Sequence, residues 1–370
     1  MRSPKTSPEN TRKRRERNRV TRSPISGKVQ TVLGPIKPET LGPTITHEHL
    51  LIDFRVVFQQ PNNPDEAGMA EEKLSLANLG WIRHNWNSSA DNLMLLDEDV
   101  AIAEATDYFD AGGRTLVDVT SNGLGRDPLA LERISRATGL NVVMGGGHYI
   151  GSTHPAEFEA ATAEEIAESI IQDVQVGVDG TDIRTGIIGE VGVSAPWAET
   201  ERKTVQAAVI AQAQTGVPVL IHPGRDEELP LRILEAIAEW GGDLSNTVMG
   251  HIERTIYSRD ALKRVAETGA FLNFDLFGHD SSFYPLAPHS YMPNDAQRMD
   301  QIEFLIDGGH IDQILLAHDV CSKHRLKRYG GHGWDHIIAR VVPQMLARGV
   351  SRELVDRMLV DNPRRMLTFA

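Results

Sequence analysis

His47 and His49 stand one residue apart in the run T-I-T-H-E-H-L. The residues before them alternate as a strand does, and residues i and i+2 of a strand point to one face. Both imidazoles therefore project side by side, as two ligands of one metal ion must. Four more ligand-type residues each end an apolar run of their own. They are Glu190 in G-I-I-G-E-V-G, His222 in P-V-L-I-H-P-G, His251 in V-M-G-H and Asp319 in I-L-L-A-H-D. Buried imidazoles and carboxylates are costly unless paired, so six of them at equivalent positions point to a site rather than to scattered core residues. One catalytic zinc uses three protein ligands. Six suit two ions about 3.5–4 Å apart sharing a carboxylate. Histidine and carboxylate donors suit zinc, manganese or iron. A thiolate site is excluded, because Cys321 is the single cysteine.

Two divalent ions lower the pKa of a shared water towards neutrality, and the hydroxide can attack a carbonyl or phosphoryl centre. Asp319 is placed to accept the nucleophile's proton and pass it to the leaving group, which matters most for an amide. Tyr149, in G-G-H-Y, is a second catalytic candidate and could hydrogen-bond the substrate oxygen; a packed rim aromatic is the alternative. Arg225 and Arg254 follow His222 and His251 by three residues each, where a guanidinium could hold a sulfonate, carboxylate or phosphate; a surface ion pair is the alternative. Lys323, Arg325, Lys327 and Arg328 read as a solvated charge run, and Cys321 as a bystander. His148, His318 and His332 are candidates to support the ligands.

The elements that must position these residues follow from the pattern. Short β-branched runs at 44–47, 115–119, 141–144, 186–191, 218–222, 247–251, 271–275 and 313–319 alternate with amphipathic stretches such as 97–111, 162–176, 200–215, 231–240, 261–268, 299–308 and 335–348. Eight strands with intervening helices imply parallel βα units and a closed (β/α)8 barrel, whose strands deliver functional residues at their carboxyl ends. No G-x-G-x-x-G follows the first strand, which weighs against a dinucleotide fold. Residues 26–33 suggest a short hairpin arm. The insertion from Phe54 to Asn92 would overlie the catalytic mouth as a candidate lid.

Residues 26–370 are expected to form one domain. Residues 1–25 are expected to be a disordered basic tail: Met1 to Arg22 holds nine Lys or Arg, two Glu and few apolar residues. A solvated tail, a mitochondrial-type presequence and an RNA-binding arm all remain open for it, but no apolar stretch follows Arg14-Arg15, so an export signal is not expected. The net charge of -13 argues against non-specific nucleic-acid binding by the body of the protein. No membrane partner is expected. A cytoplasmic location is expected, and a homodimer is left open.

The run T-H-E-H-L, together with S-G-K-V-Q-T-V-L-G, G-I-I-G-E-V-G, V-L-I-H-P-G-R, F-D-L-F-G, A-H-D and Y-G-G-H-G, resembles the amidohydrolase superfamily and, within it, the phosphotriesterase family. The resemblance covers 26–370. It implies a first metal on His47, His49 and Asp319, a second on His222 and His251, and a bridge at Glu190. Founding phosphotriesterases carry a carboxylated lysine at the bridge; the glutamate resembles the subset of phosphotriesterase-related proteins. Vertebrate members of that subset are associated with hydrolysis of N-acetyltaurine. The expected activity is therefore hydrolysis of a small anionic N-acyl amide by a metal-bridging hydroxide. Lactone or phosphotriester hydrolysis at the same metals is the alternative in chemistry, and a metal-free binding protein is the alternative in class.

Overall fold

Eight runs of β-branched and aliphatic residues form parallel strands: β1 (Thr44–Glu48), β2 (Thr115–Asp118), β3 (Asn141–Gly146), β4 (Ile187–Gly192), β5 (Val219–His222), β6 (Thr247–Met249), β7 (Phe271–Phe274) and β8 (Ile314–Leu316). The computed structural model describes residues 25–280, 284–288 and 291–370. Each strand pairs in parallel with the next in sequence from β1 to β8. The seam between β8 and β1 is drawn together by the Asp319 N–H, which donates to the His47 carbonyl at 3.1 Å, and by Thr46 Oγ1, which donates to the Leu316 carbonyl at 3.2 Å. The result is the expected (β/α)8 TIM barrel.

Several helices between the strands are bounded by capping residues, and the stretch expected from 299 starts earlier, at Asp295, where Asn294 and Gln297 form a capping box. Asp127 caps Pro128–Thr138 by accepting from the Ala130 N–H at 2.9 Å, and Gly139 ends it with φ +74°. Thr162 and Glu165 close a reciprocal capping box on Ala163–Gln175. The stretch expected as one helix over 335–348 contains a π-helical turn, Ile337–Val341, and a second π turn, Arg357–Asp361, precedes the last helix. Each runs into a helix with proline at its second position, Pro343 and Pro363. Proline has no N–H for an i→i−4 bond, and the turn before it widens.

Inward residues of the strands, including Val117, Val143, Ile187, Leu220, Val248, Phe271 and Leu315, form one apolar cluster with Val29, Leu41, Met366 and Leu367. The hairpin expected near residue 26 pairs Val29–Thr31 with Gly34–Ile36 and is tied to the C-terminus by Gly27 N–H to Phe369 O at 2.9 Å. These contacts close the barrel at its amino-terminal end. The segment after β1 makes short helical turns, among them Leu79–His84, and Arg83 donates to the Gly330 carbonyl at 2.9 Å. It therefore lies against the loop after β8, as a cover over the mouth would. The disorder expected for the basic tail falls almost wholly on residues 1–24, outside the described residues. No helix among the described residues is long and apolar enough to cross a membrane.

Candidate metal centre

β1 carries His47 inward, and a register irregularity between Ile45 and Glu48 brings His49 round so that the two ring centroids lie 5.7 Å apart. His222 ends β5, and Glu190 lies within β4. β6 and β8 stop earlier than the sequence pattern implies, before His251 and Asp319. Those two residues adopt left-handed backbone, with φ +52° and +49°. Such a conformation is uncommon outside glycine, ends the ladder, and persists where surrounding contacts enforce it. Here it turns both side chains towards the barrel axis.

The six expected side chains converge in two groups that share Glu190. In the first, Asp319 Oδ1 lies 3.3 Å from His49 Nε2 and 3.9 Å from His47 Nε2. The Glu190 oxygens lie 3.4 Å from His47 Nε2 and 3.6 Å from His49 Nε2. Donors held tetrahedrally at about 2.0–2.2 Å from one ion stand roughly 3.3–3.6 Å apart, so this group has the dimensions of a metal site. In the second, Glu190 Oε2 is 3.5 Å from His251 Nε2 and 2.7 Å from His222 Nδ1, and His251 Nε2 is 2.9 Å from His222 Nδ1. These last two spacings are those of hydrogen bonds. His222 Nδ1 shares a proton with Glu190, and an ion there would take that proton's place.

The environment suits cations. His47 Nε2 is buried and has no hydrogen-bond partner, although it faces two carboxylates. Burial alone would raise the pKa of Glu190, but His222 and His47 hold it well below the usual carboxylate range. Burial is likewise outweighed at Asp319, which the neighbouring histidines keep ionised. Burial pushes the His47 imidazole down, and Asp275 and Glu190 more than reverse this. Buried carboxylates of this kind call for positive charge, whether protons or metal ions. The residues fit divalent metal ions.

Two carboxylates that sequence reasoning gave no role organise the ligands. Asp275, just beyond β7, is buried. Its Oδ1 is 2.8 Å from His251 Nδ1, its Oδ2 is 2.9 Å from His47 Nδ1, and both oxygens accept the His251 N–H at 3.0 Å. The His47 contact is electrostatic, since its angle falls outside hydrogen-bond geometry. One carboxylate thus orients a ligand from each group. Glu48 points the opposite way from its histidine neighbours and accepts the N–H groups of His318 and Val320 at 2.7 and 3.2 Å, gripping both flanks of Asp319. Thr120 Oγ1 contacts His49 Nδ1 at 2.9 Å. The signal for Asp275 lay in F-L-N-F-D, an apolar run ending in a carboxylate like the others.

Tyr149 is buried, with its hydroxyl 3.4 Å from His222 Nε2; burial pushes its pKa far up and keeps it a donor. Arg254 is also buried. Its Nη2 lies 3.2 Å from His222 Nε2 and donates to the Pro223 carbonyl at 3.0 Å, and its Nη1 donates to Thr255 Oγ1 at 3.1 Å. Arg225 Nε donates to the Tyr284 hydroxyl at 2.6 Å. Both arginines line a cavity of about 360 Å³. Of the three histidines considered as supports, His318 acts through Glu48, with its Nδ1 at 2.7 Å from Oε1; His148 packs on Phe158 instead. Burial raises the Cys321 thiol well above its ordinary pKa, as suits a bystander. The expected charge run is not uniformly solvated. Lys323 pairs with Asp91 at 2.7 Å, and Arg325 turns inward into a second cavity, because the turns after β8 fold back under the segment after β1.

Residues 27–367 match the model of the Phosphotriesterase family. A phosphotriesterase-related protein of Nematostella vectensis is 44% identical over 347 residues, 93% of this chain and 99% of that one. The N-acetyltaurine hydrolase of Homo sapiens is 43% identical over 348 residues, 94% of this chain and 99% of that one. Among solved structures, a resiniferatoxin-binding protein from Rhodobacter sphaeroides superposes with a TM-score of 0.90 at 37% identity, covering 94% of this chain and 97% of that one.

Proposed function

Because this chain belongs to the phosphotriesterase family of metal-dependent hydrolases, we propose that it cleaves the amide bond of a small anionic N-acyl compound such as N-acetyltaurine. The observation that carries the proposal is the convergence of His47, His49, His222, His251 and Asp319 around Glu190, in a chain 43% identical to an N-acetyltaurine hydrolase over nearly its full length. His47, His49 and Asp319 would hold one ion, His222 and His251 the other, and Glu190 would bridge them. Two divalent ions there, zinc or else manganese or iron, would supply an acidified water and a Lewis acid for the carbonyl oxygen.

The side chains supply the rest. Asp319 is ionised and its side chain is 14% exposed, against 3% for Glu190, so it is the carboxylate open to the substrate. It takes the nucleophile's proton and returns it to the departing nitrogen, without which an amide would have to expel an amine anion. The Tyr149 hydroxyl, kept protonated, donates to the substrate oxygen as negative charge develops. Arg225 keeps its Nη groups for an anionic part of the substrate, its Nε being held by Tyr284. Arg254 is anchored on the Pro223 carbonyl, beside the His222 ring. The test is a screen of metal-loaded protein against N-acyltaurines, N-acyl amino acids, lactones and phosphotriesters. Highest kcat/KM on an anionic N-acyl amide is expected. Efficient lactone hydrolysis with no turnover of any N-acyl compound would transfer the site to lactonase chemistry.

A further inference from the structure

The loops after β7 and β8 enclose a cavity of about 460 Å³, lined by Trp86, His279, Tyr284, Arg325 and His332 among others. It adjoins the metal centre: Tyr284 links it to Arg225, and the Arg325 guanidinium is felt electrostatically by Asp319 and Cys321. Three of its lining residues, His279, Arg325 and His332, carry buried polar atoms without partners. His279 is 3% exposed and its Nε2 is buried with no hydrogen bond. Arg325 Nε is also buried without a partner, and Arg325 forms no ion pair among the described residues. Buried donors in folded proteins are almost always satisfied, and the exceptions call for a ligand or water. Arg325 offers donors only, so its partner must be an acceptor, and a charged one matches it best.

The other groups around the cavity agree. Arg83 stands exposed on the rim, and Asp280, also exposed, is the one acid among the described lining residues. Burial, followed by the field of Arg325, keeps His279 neutral, with an N–H to give. His332 Nδ1 lies 3.1 Å from the Gly333 carbonyl, which leaves its Nε2 an acceptor and outside an anion contact. Its ring packs directly over Gly278, where φ is +85° and any Cβ would overlap the imidazole. The F-D-L-F-G and Y-G-G-H-G runs therefore meet to shape one wall of the cavity. By contrast, Arg254 directs three contacts within the protein and Arg225 is braced by Tyr284.

We propose that Arg325 and His279 form the subsite for the acid end of the substrate, a sulfonate or carboxylate, while the acyl end reaches the metal centre beside Asp319. The assignment rests on the reading of the chain as a hydrolase of anionic N-acyl compounds. It makes Arg325 the main determinant of selectivity for anionic over neutral amides, with Arg225 secondary.

Calorimetric titration of ethanesulfonate and propionate into metal-loaded wild type, Arg325→Gln and Arg325→Lys tests the subsite without turnover. Kinetics on N-acetyltaurine and the neutral N-propylacetamide test its use. Ethanesulfonate should bind wild type saturably and bind Arg325→Gln about tenfold or more weakly. The ratio of kcat/KM for N-acetyltaurine over N-propylacetamide should fall about tenfold to a hundredfold in Arg325→Gln, mainly through KM, and recover in part in Arg325→Lys. Melting temperature and metal content report whether each variant is folded. Failure of wild type to bind either anion, or equal losses on both substrates in both variants, overturns the subsite. Arg325-dependent anion binding in a wild type that hydrolyses no N-acyl compound upholds the subsite and rejects the amidase reading instead.

Discussion

Glu190 is where the two groups of ligands meet, with Oε1 towards His49 and Oε2 towards His222 and His251. Replacing it by glutamine removes the charge both ions would share, so Glu190→Gln should lose metal and activity together; elemental analysis beside an activity assay checks this, and a variant with two ions and normal turnover would refute the bridge. Asp275 acts at one remove, by aiming His47 and His251. Loss of such a partner commonly weakens metal binding by about 10–100-fold. Asp275→Asn should show that weakening in competition against a chelator while remaining folded. The six converging side chains were legible in the sequence because histidine and carboxylate are unusual endings for apolar strands. Asp275 and Glu48 were not, because whether a carboxylate binds metal, orients an imidazole or grips a loop depends on which group it faces. Arg325 was read with its charged neighbours for the same reason: its direction is set by the turns after β8, which no local pattern reveals.

At the level of elements, the alternation of strand and helix was readable throughout, since apolar period and turn glycines are local signals. The early ends of β6 and β8 were not, because the left-handed conformations of His251 and Asp319 are enforced by contacts from β7 and β1. The π turns before Pro343 and Pro363 likewise depend on how those helices dock. The helix Asp295–Asp307 carries a further brace under the β7 loop. Asp295 accepts from the Gly278 N–H at 2.9 Å and contacts Arg298 at 2.8 Å and His336 at 2.7 Å. Burial alone would raise its pKa, but His336, Arg298 and the Gly278 N–H hold it down at about 2. A folded-state value below the unfolded one adds stability above the unfolded pKa of about 3.9, and that stability is lost as pH falls towards the folded value. The shift corresponds to about 2 kcal/mol. Asp295→Asn should therefore lower the urea midpoint at pH 7, and the gap from wild type should narrow below about pH 4. A constant gap down to pH 3 would show that the carboxylate's charge is not what stabilises the loop.

For the whole molecule, charge is divided unevenly, with a basic first 22 residues on a chain of net -13. Few apolar residues occur there, so removing residues 1–24 should leave melting temperature and turnover nearly unchanged. A marked fall in either would mean that this segment packs on the barrel. The barrel brings donors from β1, β4, β5, β6 and β8 to one end, while the β7 and β8 loops supply cationic walls. On the proposed reading, these donors hold two ions and hydrolyse an anionic N-acyl amide. The most direct measurement is titration of chelator-stripped protein with zinc or manganese while taurine release from N-acetyltaurine is followed. Activity should rise from near zero and level off at two ions per chain. Full activity at one ion, indifference to stripping, or no taurine released at saturation would contradict the account.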